Sequence, residues 1–222
     1  MQITLNDVSY SYPGSTQTVL DGVRAVFPVG WTGIIGNNGC GKSTLARIAT
    51  GMLAPDSGTV SPRGLVVAYC EQDATIPPDR LEDFACSWEQ TAVRLRVDLG
   101  VDDDWPWRYD TLSSGQQKRL QVAVALWENP DVLVMDEPTN HVDILTRRAI
   151  LRALAGYRGV GLLISHDREL LDALAGQCLC FEGARVVMRP GGYTQAGEQA
   201  ACDTKTAQRQ RRDAKREAAR IQ

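Results

Sequence analysis

The chain has 222 residues and a formal charge of −3 at neutral pH. It is long enough to bury a full core as one large or two small domains, and too acidic overall to coat nucleic acid. The charge is uneven: Asp203–Gln222 holds seven Lys or Arg against three acids, net +4, which leaves −7 on residues 1–202.

No apolar stretch approaches the roughly 20 residues of a membrane span, and the first residues do not read as a signal peptide. Met1–Tyr10 alternates apolar and polar residues as a half-buried strand does. Tyr12-Pro13-Gly14 reads as a turn and Val23–Val29 as a second strand. Trp31–Ile35 then reads as a short buried strand and Leu45–Ala49 as a helix. Between them lies Gly36-Asn37-Asn38-Gly39-Cys40-Gly41-Lys42-Ser43-Thr44, which fits G-x-x-x-x-G-K-[ST] and has a further glycine at Gly39. Glycines let the backbone bend until successive N–H groups point at phosphate oxygens, and a helix N-terminus adds partial positive charge. The strand–loop–helix order predicts a nucleoside triphosphate site, with Lys42 on the β/γ phosphates and the Ser43 hydroxyl on Mg2+.

Ala54–Gly58 breaks the chain before a strand at Leu65–Cys70. Asp73–Asp110 has a different character: Pro-bounded, rich in Arg and Asp, and helical between Leu81 and Leu99. It reads as a small helical subdomain inserted in an α/β core. Trp88, Trp105 and Trp107 are assigned to its packing rather than to a ligand box. Alternation resumes with a helix at Gly115–Trp127 and a strand at Val132–Met135, whose unbroken apolar run suits burial on both faces. A helix at Asp143–Ala155, a strand at Val160–Ile164 and a helix at Arg168–Ala175 follow. Cys178–Phe181 and Val186–Arg189 read as a hairpin. The six cysteines form no C-x-x-C pair and sit beside no histidine cluster, which favours a reduced, cytosolic protein over a disulfide framework or zinc site. From Thr194 onward the pattern is one charged helix with so little apolar surface that a partner helix is expected.

Four more elements occur in order. Gln72 follows the strand Leu65–Cys70. Leu112-Ser113-Ser114-Gly115-Gln116-Gln117 opens a helix. Asp136-Glu137-Pro138-Thr139-Asn140-His141-Val142-Asp143 follows Val132–Met135, and Ser165-His166-Asp167-Arg168 follows Val160–Ile164. An acid last on a buried strand, as Asp136 is, can hold Mg2+. The next residue, Glu137, is placed to orient an attacking water. With Gly36–Thr44, these elements resemble the nucleotide-binding domain of an ATP-binding cassette (ABC) ATPase over residues 1–192. Asn140-His141, Ser165–Arg168 and Arg189–Tyr193 running into a basic helix resemble the ABC-F subfamily, soluble translation factors and ribosome-protection proteins, more than transporter ATPases.

The resemblance implies an α/β fold of the P-loop NTPase type, with a mixed-sheet core, an N-terminal antiparallel β subdomain and an inserted α-helical subdomain at about 73–118. Residues 1–193 would be the ATPase domain and 194–222 the basic helical start of an interdomain linker, the chain being an isolated first cassette. The implied cofactors are ATP, cradled by Gly36, Asn37, Asn38, Gly39, Cys40, Gly41, Lys42, Ser43 and Thr44 with Tyr12 either stacked on adenine or a plain turn aromatic, and Mg2+, held by Ser43, Gln72 and Asp136. Glu137, His166 and Gln72 would be catalytic. Ser113, Gly115 and Gln116 would complete the site of an opposite cassette, so hydrolysis needs a two-cassette sandwich. Asp143 would lie at that interface, or cap its own helix. Ser114 replaces the signature's first glycine, and if the position required φ > 0 or a close backbone approach it would cost about 1 kcal/mol or more and weaken the composite site.

The implied partners are a second cassette (tandem in the same chain, or a second copy) and the ribosome, whose rRNA or tRNA would meet Lys205–Arg220. No membrane span is implied. Translation factor and antibiotic protection stay open as roles. So do an ATP-binding subunit of a membrane transporter, docked through Asp73–Asp110, and a non-hydrolysing ATP-dependent interaction module.

Overall fold

A computed structural model describes residues 1–140, 142–183, 185–203 and 205–206. Its centre is a six-stranded mixed sheet in the order β5-β6-β7-β3-β8-β9. The strands are β3 (Gly30–Ile35), β5 (Val67–Cys70), β6 (Val132–Asp136), β7 (Val160–Ile164), β8 (Ala175–Glu182) and β9 (Arg185–Pro190). The first five run parallel, and β9 is antiparallel to β8. β6 and β7 are buried at every residue, as an unbroken apolar run requires.

The period of two divides these strands between two cores. Val132, Val134, Val160, Leu162 and Ile164 face α1 (Lys42–Ala49) and a three-stranded antiparallel sheet of β2 (Thr18–Pro28), β1 (Gln2–Ser11) and β4 (Ser57–Ser61). Leu133, Met135 and Leu163 face the helices of the other layer: α4 (Ser114–Trp127), α5 (Ile144–Ala155) and α6 (Arg168–Leu174). Trp31 lies on this second face over Gly161, where an added Cβ would meet the indole ring at 2.4 Å, and its Nε1–H donates to the Leu154 carbonyl at 3.0 Å. Gly161→Ala is therefore expected to destabilise the fold by about 1–3 kcal/mol through overpacking, read as a lower denaturant midpoint.

The insert departs from its expected form. The helix expected over Leu81–Leu99 is two helices, α2 (Leu81–Cys86) and α3 (Gln90–Leu99). Arg96 explains the break: it is buried, and its guanidinium donates to the carbonyls of Phe84, Ala85 and Ser87. The unpaired C-terminal carbonyls of α2 are thus satisfied by a side chain from the next helix. A 3-10 helix, Trp105–Thr111, leads into α4. Trp105 packs into the core, whereas Trp88 and Trp107 are exposed. β4 was not expected as a strand; Gly58, at φ 86°, lies against the Asp7 carbonyl of β1, where a Cβ would sit 2.4 Å away.

The last described helix, α7, starts at residue 193. Its first turns pack on the body rather than awaiting a partner helix. Ala196 is buried with Ala175 and Cys178, Thr194 bonds through its N–H and hydroxyl to the Asp172 carboxylate at 2.8 and 2.6 Å, and buried Arg189 bridges Glu182 and Asp203. Arg189→Ala is expected to lower the free energy of local opening over 193–203 by about 1–3 kcal/mol. Amide hydrogen exchange should quicken there and stay unchanged in β6 and β7. The basic stretch from Arg209 onward lies outside the described residues.

Candidate nucleotide site

The turn from β3 into α1 is built around Gly41. It caps the helix at φ 105°, and a Cβ there would meet Val19 Cγ1 at 2.6 Å. Both constraints demand glycine. Gly36 is confined in another way, since a Cβ would meet Cys40 Sγ at 2.7 Å and Phe181 Cβ at 2.8 Å. Lys42 is buried, and its Nζ donates to the carbonyls of Gly36 and Asn37 at 2.9 and 3.0 Å. Burial pushes the Cys40 thiol up, so this loop cysteine stays a neutral packing group rather than a nucleophile.

The loop opens on a cleft of about 670 Å3. Tyr12, Asn38, Gly39, Gly41, Lys42, Ser43, Thr44, Gln72, Asp136, Glu137, Asn140 and His166 line it. Gly36, Asn37 and Cys40 complete the loop behind that wall. The tips of β5, β6 and β7 converge here because parallel strands all deliver their C-terminal ends to one edge. Asp136 ends β6 and is 5% exposed. One of its oxygens accepts from the Tyr69 hydroxyl at 3.2 Å. Burial, reinforced by Asp136, holds the Tyr69 phenol far above its usual range, so it remains a donor that orients the carboxylate. In the sequence, the apolar neighbours of Tyr69 on β5 mark it only as a strand residue.

Glu137 holds φ 47°, a left-handed conformation sparsely populated by residues other than glycine. Its N–H donates to the Ile164 carbonyl at 2.8 Å, and its carboxylate accepts from the His166 backbone N–H at 3.3 Å. The His166 ring stands 3.6 Å from the other carboxylate oxygen and pairs with Asn38 Oδ1 at 3.0 Å. Burial first, and Asp136 after it, push the Glu137 carboxyl above the ordinary glutamate range; His166 pulls the other way. Below, Asp167 ties the strand ends together by accepting from the Thr139 hydroxyl at 3.1 Å and pairing with Arg147. Tyr12 reaches Thr44 Oγ1 at 2.8 Å, which fixes its exposed ring at the cleft mouth.

Ser113, Gly115 and Gln116 are not in the cleft. Ser113 caps α4 in a reciprocal box: its Oγ accepts from the Gln116 N–H at 3.4 Å, while Gln116 Oε1 accepts from the Ser113 N–H at 2.9 Å. Ser113 and Ser114 are exposed. Ser114 lies in the first turn of α4, outside the left-handed region, so the φ > 0 strain does not arise. Ser114→Gly should change turnover by less than about twofold, since no strain is relieved. Asp143 caps α5, accepting from the N–H groups of Leu145 and Thr146 at 2.8 and 3.0 Å and from the Thr146 hydroxyl. His141 lies outside the described residues.

The sequence model of the ABC transporter family matches residues 25–140, more than half of the chain. The chain belongs to the ABC transporter family. The cassette is 34% identical to the ATP-binding protein Uup of Escherichia coli over 206 residues, 86% of the chain and 32% of Uup. It is 33% identical to the ribosome protection protein VmlR of Bacillus subtilis (86% of the chain, 33% of VmlR). With the energy-dependent translational throttle protein EttA of Haemophilus influenzae it shares 32% identity (86% of the chain, 37% of EttA). These relatives are ABC-F proteins, the subfamily that Asn140-His141 and Ser165–Arg168 resemble. The chain spans about a third of their length.

The fold also matches a solved ATP-binding subunit of an ABC transporter, with a TM-score of 0.70 and 21% identity over 86% of this chain and 90% of that one. The mixed sheet, antiparallel β unit and helical insert are thus the cassette fold, and the family is one of ATP-binding ATPase domains. Among the described residues no helix is long and apolar enough to cross a membrane.

Proposed function

We propose that this cassette hydrolyses ATP as one half of a two-cassette sandwich in an ABC-F protein acting on the ribosome. The observation that carries the proposal is the separation of the two half-sites. Lys42, Asp136, Glu137 and His166 gather in one cleft, while Ser113 sits exposed at the N-terminus of α4, outside it. A helix N-terminus turned to solvent is suited to a phosphate supplied by another chain or domain.

The donor set suits Mg2+. Ser43, Gln72 and Asp136 offer oxygens, and among the described residues no cluster of three or more His, Cys, Asp or Glu forms an all-protein cage. That is the pattern of an ion shared with substrate phosphates. When bound, Mg2+ would neutralise charge on the β and γ phosphates. The protein's part is positioning. Lys42 holds the phosphates, Glu137 orients water and takes up its proton, and His166, held between Asn38 and Glu137, contacts the γ-phosphate. ATP would then clasp two cassettes and hydrolysis release them, because the γ-phosphate contacts exist only in the closed state.

Glu137 must be ionised to act as base, and burial raises its pKa. Turnover at saturating ATP is therefore expected to fall with decreasing pH along a limb lying above the ordinary glutamate range. Glu137→Gln should have no such limb in its residual rate.

The ribosomal role rests on the relatives, whose names include ribosome protection and translational throttling, and on the basic stretch Lys205–Arg220. A transporter-subunit reading draws on the family model's description and on a fold match at 21% identity, and on none of the three relatives named above. Co-sedimentation of Glu137→Gln with ribosomes in ATP tests the proposal. Association lost at raised salt is expected, and no ATP-dependent association would overturn the ribosomal part.

A further inference from the structure

α4 buries a charge. Lys118 is 3% exposed, and its ammonium has three acceptors: the carbonyl of Glu71 at 2.7 Å, the carbonyl of Gln72 at 3.1 Å, and Gln121 Oε1 at 2.8 Å. The third lies one turn along α4 and aims the ammonium. The first two belong to the segment leaving β5, which brings Gln72 to the cleft. Among the described residues no carboxylate pairs directly with Lys118, so its charge is met by two main-chain carbonyls and one side-chain amide oxygen. Charge-assisted bonds of this kind are roughly twice as strong as neutral ones. Because they grip backbone, they hold the segment whatever the Gln72 side chain does. The same helix presents Ser113, five positions upstream, and buried Gln117 beside Lys118 donates to the Tyr109 carbonyl at 3.2 Å, binding α4 to the insert.

We infer that Lys118 is a positioning residue that latches the Gln72 segment to the helix carrying Ser113. A shift of Gln72, driven by nucleotide in this cassette's cleft, then moves Ser113 toward or away from the partner's nucleotide. Lys118 touches neither nucleotide. The inference rests on the two-cassette reading for its consequence, while the latch can be read in a single chain.

The test uses the full chain with Lys118→Met, which keeps the stem and removes the ammonium, and Lys118→Arg, whose guanidinium can donate to the same carbonyls. Amide hydrogen exchange is followed with and without an ATP analogue and Mg2+. In the wild type, adding nucleotide should change protection at 71–73 and 113–117 together. Lys118→Met should keep the change at 71–73 and lose it at 113–117, and Lys118→Arg should restore it. Analogue affinity in Lys118→Met should stay within about twofold of wild type, with KM little altered. Its kcat should fall by about tenfold to a hundredfold, as expected for a misplaced rather than a missing group.

Three results would overturn the latch. One is a Lys118→Met chain that still transmits the change to 113–117. Another is a wild type in which the two segments never respond together. The third is a variant that loses thermal stability and affinity alike, with no recovery in Lys118→Arg; this would make Lys118 a packing residue only. If exchange is coupled as expected but turnover per chain is independent of concentration, the two-cassette reading fails and the latch stands.

Discussion

Replacing Glu137 with Gln is expected to slow turnover by about 10²–10⁴-fold and to leave nucleotide binding in place. Glu137 directly follows β6, which is buried at every residue; its backbone is held at φ 47° with its N–H donating to the Ile164 carbonyl, and its carboxylate accepts from the His166 N–H. Gln keeps the size and can keep the acceptor for that N–H, but it cannot take up a proton. Losing a positioned general base removes about 10²–10⁴-fold of rate. Affinity for ATP should be unchanged, because Lys42, Ser43 and the glycine loop are untouched. The substitution also removes a carboxylate whose burial disfavours its charged form, so melting temperature at neutral pH should hold or rise. Steady-state phosphate release, analogue titration and a thermal melt read the three effects. A variant that still turns over near the wild-type rate would remove Glu137 from the mechanism.

Lys42→Ala should produce the opposite pattern: a folded chain that no longer retains ATP. The Lys42 ammonium rests on the carbonyls of its own loop, so it is already delivered to the wall facing the phosphates. Each charge-assisted hydrogen bond it makes to phosphate contributes about 1.5–3 kcal/mol, so two such bonds correspond to a loss of roughly 10²-fold or more in affinity. The fold should survive, since Gly41 at φ 105° shapes the turn and Leu45, Ala46 and Ile48 pack α1. Gly41→Ala would instead damage the loop itself, through left-handed strain and contact with Val19. Equilibrium titration with a fluorescent ATP analogue separates the variants. Affinity within a few-fold of wild type in Lys42→Ala would mean the cleft binds phosphate by other means.

Much of this was legible because the decisive signals are local. The glycine loop needs only its own residues and a strand and helix on either side. Val132–Met135 and Val160–Ile164 announce a doubly buried sheet by composition alone. What could not be read depends on residues far apart in the chain. The break at Ser87–Glu89 is held by Arg96, which looks like one more surface charge on a helix until its partners on α2 are known. β4 exists because Gly58 lets it approach Asp7, and the fragment reads as a turn without that neighbour. Tyr69 and Lys118 carry no local signal for the same reason: one orients Asp136 and the other holds Gln72 across more than 40 residues. Strain at Ser114 depends on a backbone state that only coordinates reveal, and in the cleft the left-handed non-glycine residue is Glu137 instead.

The central claim is that each working site is shared, with Lys42, Asp136 and Glu137 from one cassette and Ser113 from another. Mixing two inactive variants tests it most directly: Lys42→Ala, which keeps an intact α4 N-terminus, and Gly115→Asp, which keeps an intact cleft but sets a negative charge where a phosphate should approach. Phosphate release should reappear when the two are combined, because a mixed pair contains one complete site, and wild-type turnover per chain should rise with concentration. A mixture as inactive as its components, beside a wild type whose turnover per chain is unaffected by dilution, would show that one chain houses the whole site.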